Sequence, residues 1–222
     1  MPLARSDSFA SRTVEAVREL ILGGHYQPGD RINEVELATA LGISRAPLRE
    51  ALQGLTSEGL VVRVTNRGTF IPRFGNDEIL ELFELREALE VMGARLAAER
   101  ADEEGLVRLS DVLERTKRAL DAGSASPYPR ELDFHEVLIG LARNGKVLDR
   151  VREVHRQLQL ARARSGFQPE RARQAYDEHL AVLDAVVRHD PSGAEAAMRA
   201  HLRTGLAHVQ QLFRTPDVTA GT

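Results

Sequence analysis

Arginines are concentrated in one short segment of a chain whose overall charge is slightly negative. The 222-residue chain has a net charge of −3, but its segment Ser44–Arg73 holds five arginines and two acidic residues, a local charge of +3. Arg45 and Arg49 stand four residues apart, which places both side chains on one face of a helix. Such a face can contact DNA phosphates and base edges. The segment predicts a DNA-binding surface, and the alternative is a solvated arginine face on a protein-binding domain.

Three histidines in the second half of the chain fall on apolar faces of predicted helices: His135, His179 and His201. Glu131 precedes His135 by one helical turn, so the two side chains point the same way. Inward-facing histidines from three helices can converge in a bundle core, where metal sites are commonly built. Hydrogen-bonded core histidines without a metal are the alternative interpretation.

One arginine, Arg86, falls on an apolar helix stripe. The stripe has aliphatic residues at helical spacing: Ile79, Leu82, Leu89 and Leu96. A buried arginine needs an anionic partner, because an unpaired charge is costly in an apolar interior. The partner is either Glu90, one turn further on, or the acid group of a bound effector, and the sequence leaves both open.

The elements that position the arginines form a predicted helix-turn-helix followed by a hairpin. Helices are expected at Phe9–Leu22, Glu34–Leu41 and Ser44–Glu58, with Asn33 and Glu36 forming a capping box and Ser44 capping the third helix. Gly42 permits the tight turn between the second and third helices. Two short strands are expected at Leu60–Val64 and Thr69–Ile71. The hairpin between them forms a wing whose tip, Arg67 and Gly68, is suited to close approach to a minor groove.

The histidines belong to a second, all-helical part. Six helices are predicted: Asp77–Ala101, Glu103–Ala122, Arg130–Ala142, Lys146–Ala163, Pro169–His189 and Pro191–Phe213. Asn76 and Asp190 are expected to cap two of them. The fold class is therefore mainly α: a winged helix-turn-helix domain at 1–74 and a helical bundle domain at 75–222.

Composition excludes several classes of protein. The chain has no cysteine, which excludes disulfide scaffolds, thiolate metal sites and cysteine nucleophiles, and its hydrophobic content of 42% supports a packed core. No apolar run approaches the ~20 residues of a membrane span, and Met1–Ala10 lacks a signal-peptide stretch. A cytoplasmic protein without a membrane partner is expected.

The first domain resembles the GntR family of bacterial transcription regulators. The matching run is INEVELATALGISRAPLREALQGLTSEGLVVRVTNRGTFIP, preceded by HYQPGDR, and the likeness covers nearly all of residues 9–72. The resemblance implies a homodimer that binds double-stranded DNA at a palindromic operator. It also implies DNA contacts by Arg45, Arg49 and Gly68, with Arg67 as a phosphate or groove contact. Val35 and Ala46 depart from the family, in which arginine and threonine are common there, so a different operator sequence is expected.

The second domain resembles the FCD ligand-binding domain of the FadR-type branch of this family. The blocks LREALE, FHEVL, EHLAVLDAV and AAMRAHL carry the likeness over roughly residues 78–213. The resemblance implies a divalent metal held by His135, His179 and His201, with Glu131 where relatives have aspartate. Three imidazoles and one carboxylate suit Zn(II), Ni(II) or Mn(II). It also implies that Arg86 binds a small organic-acid effector.

These observations predict a metabolite-responsive transcription regulator that acts as a repressor and is not an enzyme. A metal-dependent hydrolytic enzyme is the first alternative, since a metal with these ligands can activate water. A purely structural dimeric DNA-binding protein with a dry core is the second.

Overall fold

Helices account for most of the secondary structure. The structure, a computed structural model, describes residues 9–123, 128–162 and 169–214, and the side chains of 128–132 and 212–214 lie outside that description. The elements in chain order are α1 (Phe9–Leu22), α2 (Glu34–Ala40), α3 (Arg45–Ser57), β1 (Val62–Val64), β2 (Gly68–Phe70), α4 (Asn76–Arg100), α5 (Glu103–Asp121), α6 (Tyr128–Leu141), α7 (Gly145–Arg162), α8 (Pro169–Val187) and α9 (Pro191–Arg214). The predicted fold class, a winged helix-turn-helix plus a helical domain, is confirmed.

Helices α1, α2 and α3 bury one apolar face each. The shared core is aliphatic and includes Val17, Ile21, Leu37, Leu48, Leu52 and Leu55. Gly42 adopts a φ of +64°, a left-handed conformation that glycine reaches without the Cβ penalty, in the turn between α2 and α3. The side chain of Asn33 accepts hydrogen bonds from the backbone N–H groups of Val35 and Glu36, which is the Asn33 half of the predicted capping box. Ser44 stands at the N-cap of α3 but makes no side-chain capping bond, so that part of the prediction is wrong.

The wing is shorter than predicted. Strands β1 and β2 pair antiparallel, with Val62 opposite Phe70 and Val64 opposite Gly68. Leu60 and Val61 are buried in the core of the winged helix, and β1 begins two residues later than predicted. Their ladder partners would be Ile71, whose backbone bonds to Gly29 and Asp30 instead, and Pro72, which has no N–H to donate. Asn66 has a φ of +60° in the turn between the strands.

The second helical group packs around a separate core. Its buried members come from α4, α5, α6, α8 and α9 and include Val91, Ala94, Leu109, Leu113, Phe134, Leu138, Val182, Met198 and Leu202. Asp190 caps α9 as predicted, accepting a 2.9 Å hydrogen bond from the backbone N–H of Gly193. Asn76 is the first residue of α4 rather than its cap.

The contacts divide the chain into two compact units, with a division between Gly75 and Asn76. The last part of α7, from Arg156, groups with the first unit, where Leu160 is buried in the aliphatic core. Among the described residues, no helix is long and apolar enough to cross a membrane.

Candidate metal centre and nucleic-acid interface

Three imidazoles meet in the core of the helical unit. His135 on α6, His179 on α8 and His201 on α9 are all buried. The Nε2 atom of His179 lies 3.2 Å from that of His135 and 3.4 Å from that of His201. Nitrogens bound at ~2.1 Å to one ion, at octahedral or tetrahedral angles, are separated by roughly 3.0–3.4 Å. Both distances from Nε2 of His179 therefore match the spacing of ligands that share one cation, and ligand atoms of the three residues all lie within 4.8 Å of one another.

The packing of α6 against α8 fixes two of these rings. Phe134 is fully buried, and its ring stacks on that of His179 with centroids 4.2 Å apart and planes 16° from parallel. His135 follows Phe134 in the chain, and its ring lies edge-on to the ring of Phe134, with centroids 5.6 Å apart. It meets the ring of His179 edge-on, with centroids 4.9 Å apart. The imidazoles are held by the aromatic packing as well as by polar contacts.

Burial keeps two of the imidazoles neutral. It lowers the pKa of His135 to about 3, and the charge of Arg86 acts in the same direction. Burial also lowers the pKa of His179 well below its usual range, with further lowering by His201 and His135. Neutral imidazole is the form that binds a metal. These two ligands are ready to bind a cation at neutral pH.

Glu90 on α4 lies behind His135 and is fully buried. Its Oε2 lies 2.6 Å from Nδ1 of His135, a close contact that lacks the alignment of a hydrogen bond. Its Oε1 accepts hydrogen bonds of 2.6 Å from Nε of Arg86 and from Nε2 of His155. Although burial raises the pKa of Glu90, the charges of Arg86, His135 and His155 lower it well below its usual range. Arg86 is permanently charged, so the carboxyl is ionised.

A second carboxylate stands behind His201. Nδ1 of His201 donates to Oε2 of Glu178 at 2.7 Å, and both terminal nitrogens of Arg171 donate to the same oxygen at 3.0 Å. Burial raises the pKa of Glu178, but the hydrogen bonds from His201 and Arg171 lower it below its usual value. A carboxylate on the outer ring nitrogen fixes which nitrogen carries the proton and orients the ring toward a metal.

The outer carboxylates decide where the imidazole lone pairs point. An ionised carboxylate only accepts hydrogen bonds, so Nδ1 of His201 carries a proton. Nε2 of His135 accepts from Nη2 of Arg86, which only donates, so the proton of that ring sits on Nδ1 beside Glu90. In the neutral form of each ring the lone pair then lies on Nε2, and both Nε2 atoms face that of His179. The donor set fits a divalent cation such as Zn(II), Ni(II) or Mn(II).

Two other residues were predicted to take part in this site: Arg86 and Glu131. Arg86 is buried and forms an ion pair with Glu90, with Nε 2.6 Å from Oε1. Glu90 was one of the two partners predicted for it. The contact of Arg86 with an effector stays a prediction. The fourth predicted ligand, Glu131, lies on α6, and its side chain is outside the described residues.

Sequence reasoning missed His155 and Glu178. His155 is buried on α7, one turn after the buried Val151, so the periodicity of that helix carries a signal for it. Glu178 directly precedes His179 on α8, and no sequence pattern pairs it with His201 on α9.

Three of the four predicted DNA-contacting residues line a groove between α3 and the wing: Arg45, Arg49 and Gly68. The groove has a volume of about 860 Å³, and four arginines line it: Arg31, Arg45, Arg49 and Arg63. Glu34 is the acidic residue of the lining, and its Oε2 lies 2.8 Å from Nε of Arg49 and 4.0 Å from Nη2 of Arg45. The hydrogen bond from Arg49 lowers the pKa of Glu34. The groove carries a net positive charge of the kind that phosphate contacts require.

Gly68 lines this groove. Its φ is +109°, a backbone conformation that favours glycine, and a Cβ there would lie 3.2 Å from Nε of the Arg31 side chain. Arg67 is exposed at the turn of the wing. Val35 also lines the groove and is 55% exposed, while Ala46 is exposed on the first turn of α3.

Two family models match the chain. Residues 9–71 match the model described as "Bacterial regulatory proteins, gntR family", and residues 81–204 match the FCD domain. A similar curated protein is the Nta operon transcriptional regulator of Aminobacter aminovorans, 31% identical over 86% of this chain and 89% of its own. Another is the transcriptional regulator LutR of Bacillus subtilis, 29% identical over 82% of this chain and 93% of its own.

Solved structures share the fold. The structure of Escherichia coli McbR/YncC has a TM-score of 0.81 at 20% identity, covering 93% of this chain and 99% of its own. That of a GntR regulator from Rhodococcus sp. RHA1 has a TM-score of 0.73 at 23% identity, covering 92% of this chain and 99% of its own. These structures have the same fold as the chain.

Proposed function

Because the chain belongs to the GntR family of bacterial transcription regulators and carries an FCD domain, we propose that it is a metal-dependent sensor of a small organic acid that represses transcription. Residues 1–74 bind DNA in this proposal, and residues 75–222 bind the effector and dimerise. Like its relatives, the chain is a transcription regulator and not an enzyme.

The meeting of three Nε2 atoms is the observation that carries the sensor proposal. His135 and His201 each have a carboxylate at Nδ1, so their lone pairs face the same point as Nε2 of His179. These three side chains hold the metal in our proposal, with Glu131 as a fourth ligand. A bound divalent ion offers open coordination positions to water or to a carboxylate. Arg86, 3.0 Å from Nε2 of His135, is the cation that pairs with the rest of the acid.

The arginines in the groove between α3 and the wing support the proposal that the first domain binds DNA. Arg45 and Arg49 are more than half exposed, and they lie on the first two turns of the helix that a helix-turn-helix inserts into the major groove. A two-fold operator needs two such helices about 34 Å apart, so a homodimer on a palindromic site is proposed. Arg67 and Gly68 of the wing contact the backbone or the minor groove beside it. A protein with this target acts in the cytoplasm.

A selection experiment followed by a linkage measurement tests the proposal. Binding-site selection from random double-stranded DNA identifies the operator, and a palindrome is expected. Small carboxylic acids are then screened for thermal stabilisation of the zinc-loaded protein, and operator affinity is measured by fluorescence anisotropy with and without each hit. We expect an acid to change operator affinity by about 1–3 kcal/mol, and the operator to change the affinity for the acid by the same factor.

Two controls separate the parts of the proposal. The acid should lose its effect when the metal is chelated, and an acid that acts equally well without metal would contradict the metal-dependent sensor. A selected sequence without two-fold symmetry would contradict the dimeric operator complex. Unchanged acid recovered after incubation distinguishes a sensor from a hydrolase.

A further inference from the structure

Arg86 contacts the nitrogen that the metal would use. Its Nη2 lies 3.0 Å from Nε2 of His135, the same atom that lies 3.2 Å from Nε2 of His179. A guanidinium can only donate hydrogen bonds, so Nε2 of His135 is the acceptor and supplies its lone pair to Arg86. A neutral imidazole has one such lone pair. Arg86 and a metal ion therefore cannot both use it.

The guanidinium is fixed in this position by its own partner. Nε of Arg86 donates to Oε1 of Glu90 at 2.6 Å, and both side chains are buried in the core. Glu90 also receives the Nε2 contact of His155 and the Nδ1 contact of His135, so the carboxylate does not move without disturbing two rings. Arg86 cannot lose its charge to relieve the conflict with a cation, because arginine stays protonated.

From this geometry we propose that Arg86 competes with the metal for Nε2 of His135 and is released for the effector when the metal binds. The inference rests on the proposed metal site and adds an order to it: metal first, then acid. Without metal, Arg86 satisfies the lone pair of His135. A metal held by Nε2 of His135 would displace Nη2 of Arg86, and that donor would become available to an anionic ligand. A carboxylate bound there also screens the repulsion between the guanidinium and the metal.

Arg171 provides a matched control. It too is an arginine paired with a carboxylate that contacts a ring of the cluster, since Nη1 and Nη2 both lie 3.0 Å from Oε2 of Glu178. Both of these donors are directed at Glu178, whereas Nη2 of Arg86 is directed at Nε2 of His135. Replacing Arg171 removes the same charge from the neighbourhood without freeing a ligand nitrogen.

Zinc affinity of the full-length protein tests the competition. It is measured at pH 7.5 against a chromophoric chelator for wild type, Arg86→Gln and Arg171→Gln, with circular dichroism as a check of folding. We expect Arg86→Gln to bind zinc about tenfold tighter or more than wild type, because a competing donor and a positive charge are both removed. Arg171→Gln should show a clearly smaller gain. Equal or weaker binding by folded Arg86→Gln, or an equal gain in both variants, overturns the proposal.

A measurement on the wild-type protein keeps the test independent of the variants. The Nη2–H resonance of Arg86, the donor that contacts His135, is followed in ¹⁵N-labelled protein during zinc titration, and Arg86→Lys assigns the signal. It should shift in step with one equivalent of bound zinc, and a resonance that stays unchanged while zinc binds overturns the release of Arg86. Absence of zinc binding by wild type and variants alike contradicts the metal site itself and the inference with it. Zinc binding by Arg86→Gln, with none by wild type or Arg171→Gln, supports the competition between Arg86 and the metal.

Discussion

The arginines of the groove between α3 and the wing set a measurable salt dependence of operator binding. Arg31, Arg45, Arg49 and Arg63 line the groove of one chain together with Glu34, a net charge of +3. Two chains on a two-fold operator present six net positive charges to DNA. Each neutralised phosphate adds about −0.9 to the slope of log K against log salt, so the expected slope is roughly −5. Raising the salt from ~50 to ~200 mM should then weaken binding by about three orders of magnitude.

Fluorescence anisotropy at several salt concentrations measures this slope. Arg63→Ala removes one charge per chain and should make the slope shallower by about two, because two phosphate contacts are lost in the dimer. Arg118→Ala is the matched control, since Arg118 is 76% exposed and paired with Glu114 on α5 of the other unit. A wild-type slope shallower than about −2, or one that Arg63→Ala leaves unchanged, would refute the assignment of the groove to DNA.

Three further predictions concern base contacts, acid stability and assembly. Arg49→Ala should weaken operator binding by about 1–3 kcal/mol if Arg49 makes a bidentate base contact, and unchanged affinity in a folded variant removes it from the reading surface. Metal-free protein should lose stability as the pH falls below ~6.5, because His135 and His179 have lowered pKa values in the fold and take up protons on unfolding. The loss approaches about 1.4 kcal/mol per pH unit for each histidine, and urea unfolding that gives equal stabilities at pH ~7.5 and ~5 contradicts it. Light scattering should give a dimer mass at micromolar concentration, whereas a monomer with and without DNA would count against the two-fold operator complex.

Local sequence signals were sufficient for most of the helices. The apolar period of 3.6 residues, Gly42 in the turn and the capping residues Asn33 and Asp190 each act within a few residues, so they are legible without the rest of the fold. The wing was harder to delimit. Leu60 and Val61 are apolar like the strand residues that follow, but the ladder begins only at Val62. The backbone of Ile71 bonds to Gly29 and Asp30, and Pro72 has no N–H to donate, which a pattern within one strand does not reveal.

The candidate metal centre shows a sharper limit. Periodicity placed the three histidines on inner faces, since a buried face is a property of one helix. The partners of those histidines come from other helices: Glu90 on α4 is 45 positions before His135, and Glu178 on α8 is 23 before His201. A sequence pattern does not specify which buried carboxylate meets which ring, because that depends on how the helices pack. The contact of His155 with Glu90 depends on packing in the same way, although the periodicity of α7 carries a signal for the burial of His155.

Metal content is the most direct test of the central claim that three imidazoles hold a cation in the helical domain. Full-length protein is equilibrated with zinc, dialysed and analysed for bound metal beside His179→Ala/His201→Ala, with thermal melts before and after a chelator. We predict one ion per chain in wild type, none in the double variant, and a lower melting temperature for wild type once the metal is removed, because the ion binds the folded site and not the unfolded chain. Wild-type protein with no bound metal and identical melting curves with and without chelator would contradict the claim.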